Sequence, residues 1–109
     1  MKVILLPEVL EQFEDLSVIL YEKEYFSFEN RALDYVLRLY DEVVQTLPTR
    51  IHKPAPPYFD RYEKNMYYAM FSKNKRTSWY AFFTKYNENG NTVYLVRYIA
   101  NNHTVAQYL

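Results

Sequence analysis

Two runs rich in aromatic and β-branched residues, 77–86 and 92–99, flank the segment Asn87-Glu88-Asn89-Gly90-Asn91. Asn-Gly between two such runs is a strong short-range hairpin signal, because both central residues of the tight turn need positive φ. The C-terminal third of the chain is therefore expected to be an antiparallel strand pair. Its second run leads straight into Asn101, Asn102 and His103. An imidazole and two amides at a strand end form either a site or a polar frayed tail.

The rest of the chain falls into order around that pair. Residues 2–6 read as a short strand ended by Pro7, which suits the first turn of a helix, with Glu8 and Glu11 at its positive end. Val9, Phe13, Leu16 and Leu20 recur at helical spacing and predict an amphipathic helix over 7–22. Ser27 is the expected N-cap of a second helix carrying Ala32, Val36, Leu39, Val43 and Leu47, which stops before Pro48. Residues 48–65 hold Pro48, Pro54, Pro56 and Pro57 and read as a loop too proline-rich for a ladder strand. Residues 66–72 form a further strand, joined to the next by the basic turn Lys73-Asn74-Lys75-Arg76. The expected fold is α+β, β-α-α-β-β-β: an antiparallel meander with a two-helix hairpin on one face, one domain over 1–109.

Alternation places Tyr67, Ala69, Phe71, Trp79, Ala81 and Phe83 toward the helices, and Tyr68, Met70, Tyr80 and Phe82 on an open aromatic face. The last strand leaves two choices, Val93-Leu95-Arg97-Ile99 or Tyr94-Val96-Tyr98.

With 109 residues, half of them apolar, the chain can bury one ordinary core. It has no cysteine, which removes disulfides and thiolate metal sites, and its single glycine removes phosphate-cradling loops. With its two histidines, His52 and His103, far apart in sequence, no metal and no cofactor are expected. Four consecutive apolar residues before Pro7 are too few for a signal core or a membrane span, so a cytoplasmic protein is expected. Net charge is zero but lopsided: residues 1–47 carry ten acids against four bases, and residues 48–109 nine bases against three acids. The basic half with interleaved aromatics suits a polyanion, although the preference of helices for Glu explains part of the skew.

The order β-α-α-β-β-β, the paired runs 67–72 and 78–83, and the close from Val93 through His103 to Tyr108 resemble the RelE/ParE superfamily of bacterial toxins, over nearly the whole chain. The resemblance implies a ribosome-dependent, metal-free mRNA endonuclease, or a DNA gyrase inhibitor as in the ParE branch. It also implies a cognate antitoxin protein as partner. Carried over by position, the terminal basic position falls on His103 and the terminal aromatic on Tyr108. The middle-strand arginine falls at Tyr80, and two lysines at Tyr68 and Met70. Those three positions depart from the charged pattern.

Metal-free RNA cleavage needs a base, an acid and positive charge for the phosphorane-like transition state. His103 is the candidate acid/base, since an imidazole titrates near neutrality. Arg97, a charge inside an apolar strand, either lines the sheet face as a phosphate contact or snorkels at an edge. Tyr108 stacks on a base, donates a proton, or packs on a helix. Lys73, Lys75, Arg76, Tyr80 and Asn102 complete the expected RNA contacts, with Asn102 alternatively capping the strand end. His52 is expected in solvent. The amphipathic helix pair leaves a homodimer surface as a further alternative.

Overall fold

The protein, seen in a computed structural model, is described over residues 1–23 and 29–109. The expected Ser27 cap lies outside the described residues. Strand β1 (Lys2–Leu5) leads into α1 (Pro7–Glu22), with Pro7 in the first turn, where a missing N–H costs nothing. Helix α2 (Glu29–Thr46) ends as expected just before Pro48, and a 3₁₀ turn, Leu47–Thr49, follows. Val36, Leu39, Val43 and Leu47 pack with Val9 and Phe13 against one face of the sheet.

Within the proline-rich stretch the chain makes a two-residue strand, β2 (Lys53–Pro54), and a 3₁₀ helix, Pro57–Arg61. This corrects the expectation of a loop. Pro54 is tolerated because β2 is an edge strand, antiparallel to Tyr67 and Tyr68 of β3 (Tyr67–Asn74), where an absent donor breaks no inner ladder. Strands β4 (Thr77–Glu88) and β5 (Asn91–Asn101) form the expected hairpin, with Asn89 at φ 50° and Gly90 at φ 84°. The chain closes with a short helix α3 (Asn102–Val105) and a 3₁₀ turn, Ala106–Tyr108.

The sheet order is β1-β5-β4-β3-β2. The class is α+β, but the sheet is mixed and not a pure antiparallel meander, because β1 lies parallel to β5. The helical hairpin carries the chain from one edge of the sheet to the other. The meander then returns it, so β5 reaches β1 running the same way.

Two bulges decide where the charges go. Tyr98 pairs with Phe82 and Val96 with Phe83, leaving Arg97 as the extra residue of β5. The bulge resolves the open alternation of that strand. Tyr94 and Val96 face the helices before it, Ile99 does so after it, and Tyr98 and Ala100 face away. Lys73 is likewise extra in β3, between the pairs made by Ser72 and Asn74.

The face away from the helices is covered over part of its area, contrary to the expectation for it, while Met70 stays exposed. Phe59 and Phe82 are fully buried there, with ring centroids 4.4 Å apart, beside Met66, Ala100 and Val105. The proline-rich segment and the C-terminal tail thus form a second, smaller core over the sheet.

Candidate functional site

The tail is organised by its two asparagines. Asn101 caps α3, its Oδ1 accepting from the Thr104 amide at 3.1 Å. Asn102 uses both ends of its side-chain amide on β4: Oδ1 accepts from the Ser78 N–H and Nδ2 donates to the Arg76 carbonyl, each at 3.1 Å. With Val105 buried below, the tail is anchored and not frayed.

This clamp sets His103 at the same end of the sheet as Lys75 and Arg76, the two residues of the tight β3–β4 turn. All three are exposed, and none of their side chains is paired with another described residue. Asn74 Oδ1 accepts from the Arg76 amide at 2.8 Å and steadies the turn. The end of the sheet therefore offers one imidazole and two cations to solvent on a fixed backbone.

On the helix-free face lies a groove of about 630 Å³ lined by residues that include Arg50, Ile51, Lys53, Tyr68, Met70, Tyr80 and Leu109. Its aromatic and methionine walls with a flanking lysine suit an unstacked base better than a metal. Among the described residues no cluster of His, Asp or Glu stands close enough to hold a metal ion.

Three of the expected RNA contacts, Arg97, Lys73 and Tyr108, are engaged within the protein. The guanidinium of Arg97 does face the helix-free side, but it is engaged there. Nε donates to Thr84 Oγ1 at 3.0 Å, Nη2 to the Tyr86 hydroxyl at 2.6 Å, and Nη1 lies 3.2 Å from Glu63 Oε2. Five positions of β4 separate Thr84 from Trp79, the partner of Asn101. At about 3.3 Å per residue that is about 17 Å, too far for Arg97 and His103 to share one phosphate. Lys73 is turned by its bulge onto α2, where its Nζ donates to Glu42 at 2.8 Å. Tyr108 stacks on Tyr58 with centroids 3.6 Å apart and rings nearly parallel, so the 3₁₀ helix Pro57–Arg61 is what it packs on. The bond and charge of Tyr58 raise the Tyr108 phenol, which disfavours it as a proton donor near neutrality.

His52, expected in solvent, is packed instead. Its ring packs edge-on against Phe83 and Tyr94, and its Nε2 lies 2.8 Å from the Leu47 carbonyl. A histidine between prolines reads as solvated only while the loop is taken as unstructured.

Sequence reasoning missed the residues that close the sheet face. Tyr62 stacks on Tyr98 at 4.2 Å, and Arg61 sits 3.8 Å over the ring of Tyr58. The Tyr98 phenol is raised, first by burial and then by its contact with Tyr62. The available signal was Tyr58, Phe59 and Tyr62 gathered next to prolines, an aromatic content a solvated loop does not need.

No family model, no curated protein and no solved structure matches the chain. Among the described residues no helix is long and apolar enough to cross a membrane.

Proposed function

We propose that the chain is the cytoplasmic toxin of a toxin–antitoxin pair, of RelE/ParE type, and that it acts on RNA at the sheet end holding His103, Lys75 and Arg76. The observation that carries this reading is the Asn102 clamp, which joins the His103 backbone to the basic turn through Ser78 and Arg76. An imidazole at the same sheet end as two unpaired cations offers a base and positive charge for metal-free cleavage, with water as the acid. His103 takes the proton of a 2′-hydroxyl, and the 2′-oxygen attacks the adjacent phosphorus. The 5′-oxygen leaves and takes its proton from water, giving a cyclic phosphate and a 5′-hydroxyl. Arg76 and Lys75 offset the charge that gathers on the phosphorus oxygens. Tyr80 and Tyr68, in the groove further along the sheet, supply stacking surface for a base of the same strand.

A second reading, binding without cleavage, is favoured by the engagement of Arg97 with Glu63 and of Tyr108 with Tyr58. It leaves the sheet end with one proton-transfer group, and it makes the target an antitoxin alone or a protein such as DNA gyrase. Induced expression in a bacterium separates the two. Cleavage predicts growth arrest with fragmented mRNA, both lost in His103→Ala while the variant stays folded. Arrest that survives the substitution with intact mRNA selects binding, and no arrest with the wild type rejects the toxin reading altogether.

A further inference from the structure

A groove of about 400 Å³ runs between α1 and α2. Its floor includes Phe13 and Val36, which belong to the main core. Its walls include Leu10, Leu33 and Leu37, which are between 40% and 50% exposed. On each helix the lining follows the spacing i, i+3, i+4, i+7, from Leu10 to Ser17 and from Leu33 to Tyr40. It therefore extends about two turns, or about 10 Å, along both axes. Three leucines gathered in one groove, each so far from covered, form a patch and not the scattered apolar surface of an ordinary helix.

We propose that this groove docks an amphipathic helix of a partner protein, with its apolar stripe on the leucines and Lys or Arg on either side of the stripe. The proposal goes beyond the RNA reading and does not rest on it. Charge selects the partner. Helix α1 carries Glu8, Glu11, Glu14, Asp15 and Glu22 and no base. Glu14 lines the groove, Glu11 stands one turn before it, and Asp41 follows Tyr40 on the opposite wall. Among the described residues none of Glu11, Glu14 and Asp41 is in an ion pair. The bases of α2, Arg31 and Arg38, line a cleft on its other flank together with Asp34. An incoming helix with basic flanks thus meets carboxylates on both walls. Backbone chemistry selects its form. Two helices offer no ladder of free N–H and C=O groups, so the occupant must satisfy its own backbone, which a helix does and an extended strand does not. A second copy of this chain fits poorly, because a two-fold contact sets Glu11 and Glu14 against the same acidic walls.

The test is fluorescence anisotropy with a labelled designed peptide of about 18 residues, long enough to hold a helix, carrying one leucine stripe flanked by lysines. Its control is the same peptide with glutamates for the lysines. Both are measured in about 0.15 M salt, where exposed charges act over only about 8 Å. Wild type is compared with Leu37→Gln, Glu14→Lys, His103→Ala and Glu88→Lys, each checked for folding by circular dichroism. The lysine peptide is expected to bind at least about tenfold more tightly than the glutamate one, and Leu37→Gln and Glu14→Lys each to weaken it about tenfold. Glu88→Lys makes the same charge change at the β4–β5 turn and is expected to leave binding unaltered. His103→Ala is expected to do the same, so this proposal and the RNA reading fail separately. No binding of the lysine peptide, equal binding of the two peptides, or wild-type affinity in Leu37→Gln overturns the proposal. A loss in Glu88→Lys as large as in Glu14→Lys reduces the effect to general attraction and overturns it too. If light scattering shows a dimer that Leu37→Gln splits, the groove belongs to a second copy and the partner helix is rejected.

Discussion

Arg97 Nη1 lies 3.2 Å from Glu63 Oε2, and this pair ties the bulge of β5 to the segment that closes over the sheet. The Glu63 side chain is 42% exposed, so the ion pair alone is worth about 0–1 kcal/mol. Arg97 also satisfies Thr84, which is 7% exposed, and removing that partner costs about 1–3 kcal/mol. Urea unfolding is therefore expected to show a small loss for Glu63→Gln and a clearly larger one for Arg97→Met. Equal losses would mean that the ion pair, and not the hydrogen bonds, dominates. Neither change is expected to abolish growth arrest, since Arg97 stands apart from the proposed cutting end.

The same contacts set a titration. Bonds from Thr84 first, and then from Arg97, hold the Tyr86 phenol below its ordinary value of 10.0. Arg97→Met removes one donor and one positive charge, so Tyr86 is expected to ionise at higher pH, as followed by carbon NMR of the phenol ring. A Tyr86 titration that does not move would show that Arg97 leaves its hydroxyl in solution.

The elements of this fold were legible where local pattern governs them. Pro7 starts α1, Asn89 and Gly90 make the hairpin, and Trp79, Ala81 and Phe83 meet the helices as period-two alternation requires. Lys73 read as part of the turn and alternation left Arg97 open, because a bulge adds one residue and re-aims the side chain without any mark in the sequence. These were two of the cations expected on RNA, and each instead meets a carboxylate, Glu42 or Glu63. The covered face was illegible for a different reason. Phe59 stacks on Phe82 across a long loop, and a contact of that range leaves no periodic trace. His103, Lys75 and Arg76 could each be named from sequence, but their sharing one end depends on the two bonds of Asn102.

Glu42 predicts an acid-sensitive hinge between α2 and the sheet. Burial works to raise its carboxyl, but the bond and charge of Lys73, together with those of Arg50, outweigh burial and hold it below its ordinary 4.5. A carboxyl lowered on folding stabilises the native state above its unfolded value, and that contribution fades as pH falls through the folded one. The stability gap between wild type and Glu42→Gln is therefore expected to be constant at neutral pH and to shrink below about pH 4.5. Urea midpoints from pH 7 to 3 measure it, and a gap that widens in acid would contradict the assignment.

Trp79 is the only tryptophan, 5% exposed, and its Nε1 donates to the Tyr35 hydroxyl at 2.8 Å. Tyr35→Phe keeps the ring and removes that acceptor, at a cost of about 1–3 kcal/mol for a buried donor left unpaired. Fluorescence reports it directly, since no other indole interferes. Emission is expected at shorter wavelength with an earlier urea transition, whereas unchanged emission would mean that the indole finds another acceptor.

Asn102 is the residue on which the proposed cutting end depends without touching RNA. Asn102→Ala removes the acceptor of the part-buried Ser78 N–H and leaves the exposed Arg76 carbonyl to water, at a cost of about 1 kcal/mol, and frees the start of α3. Hydrogen exchange is expected to quicken at the Ser78 and Thr104 amides while the β4–β5 ladder keeps its protection. The imidazole of His103 is chemically intact in this variant, yet growth arrest is expected to weaken as it does in His103→Ala, because the backbone that carries it is no longer tied to the basic turn. Asn102→Asp retains an acceptor for Ser78 but turns a carboxylate oxygen toward the Arg76 carbonyl, and is expected to fall between the two. If Asn102→Ala loosens the tail by exchange while arrest and RNA fragmentation stay at wild-type levels, the clamp is structural only and His103 acts without it.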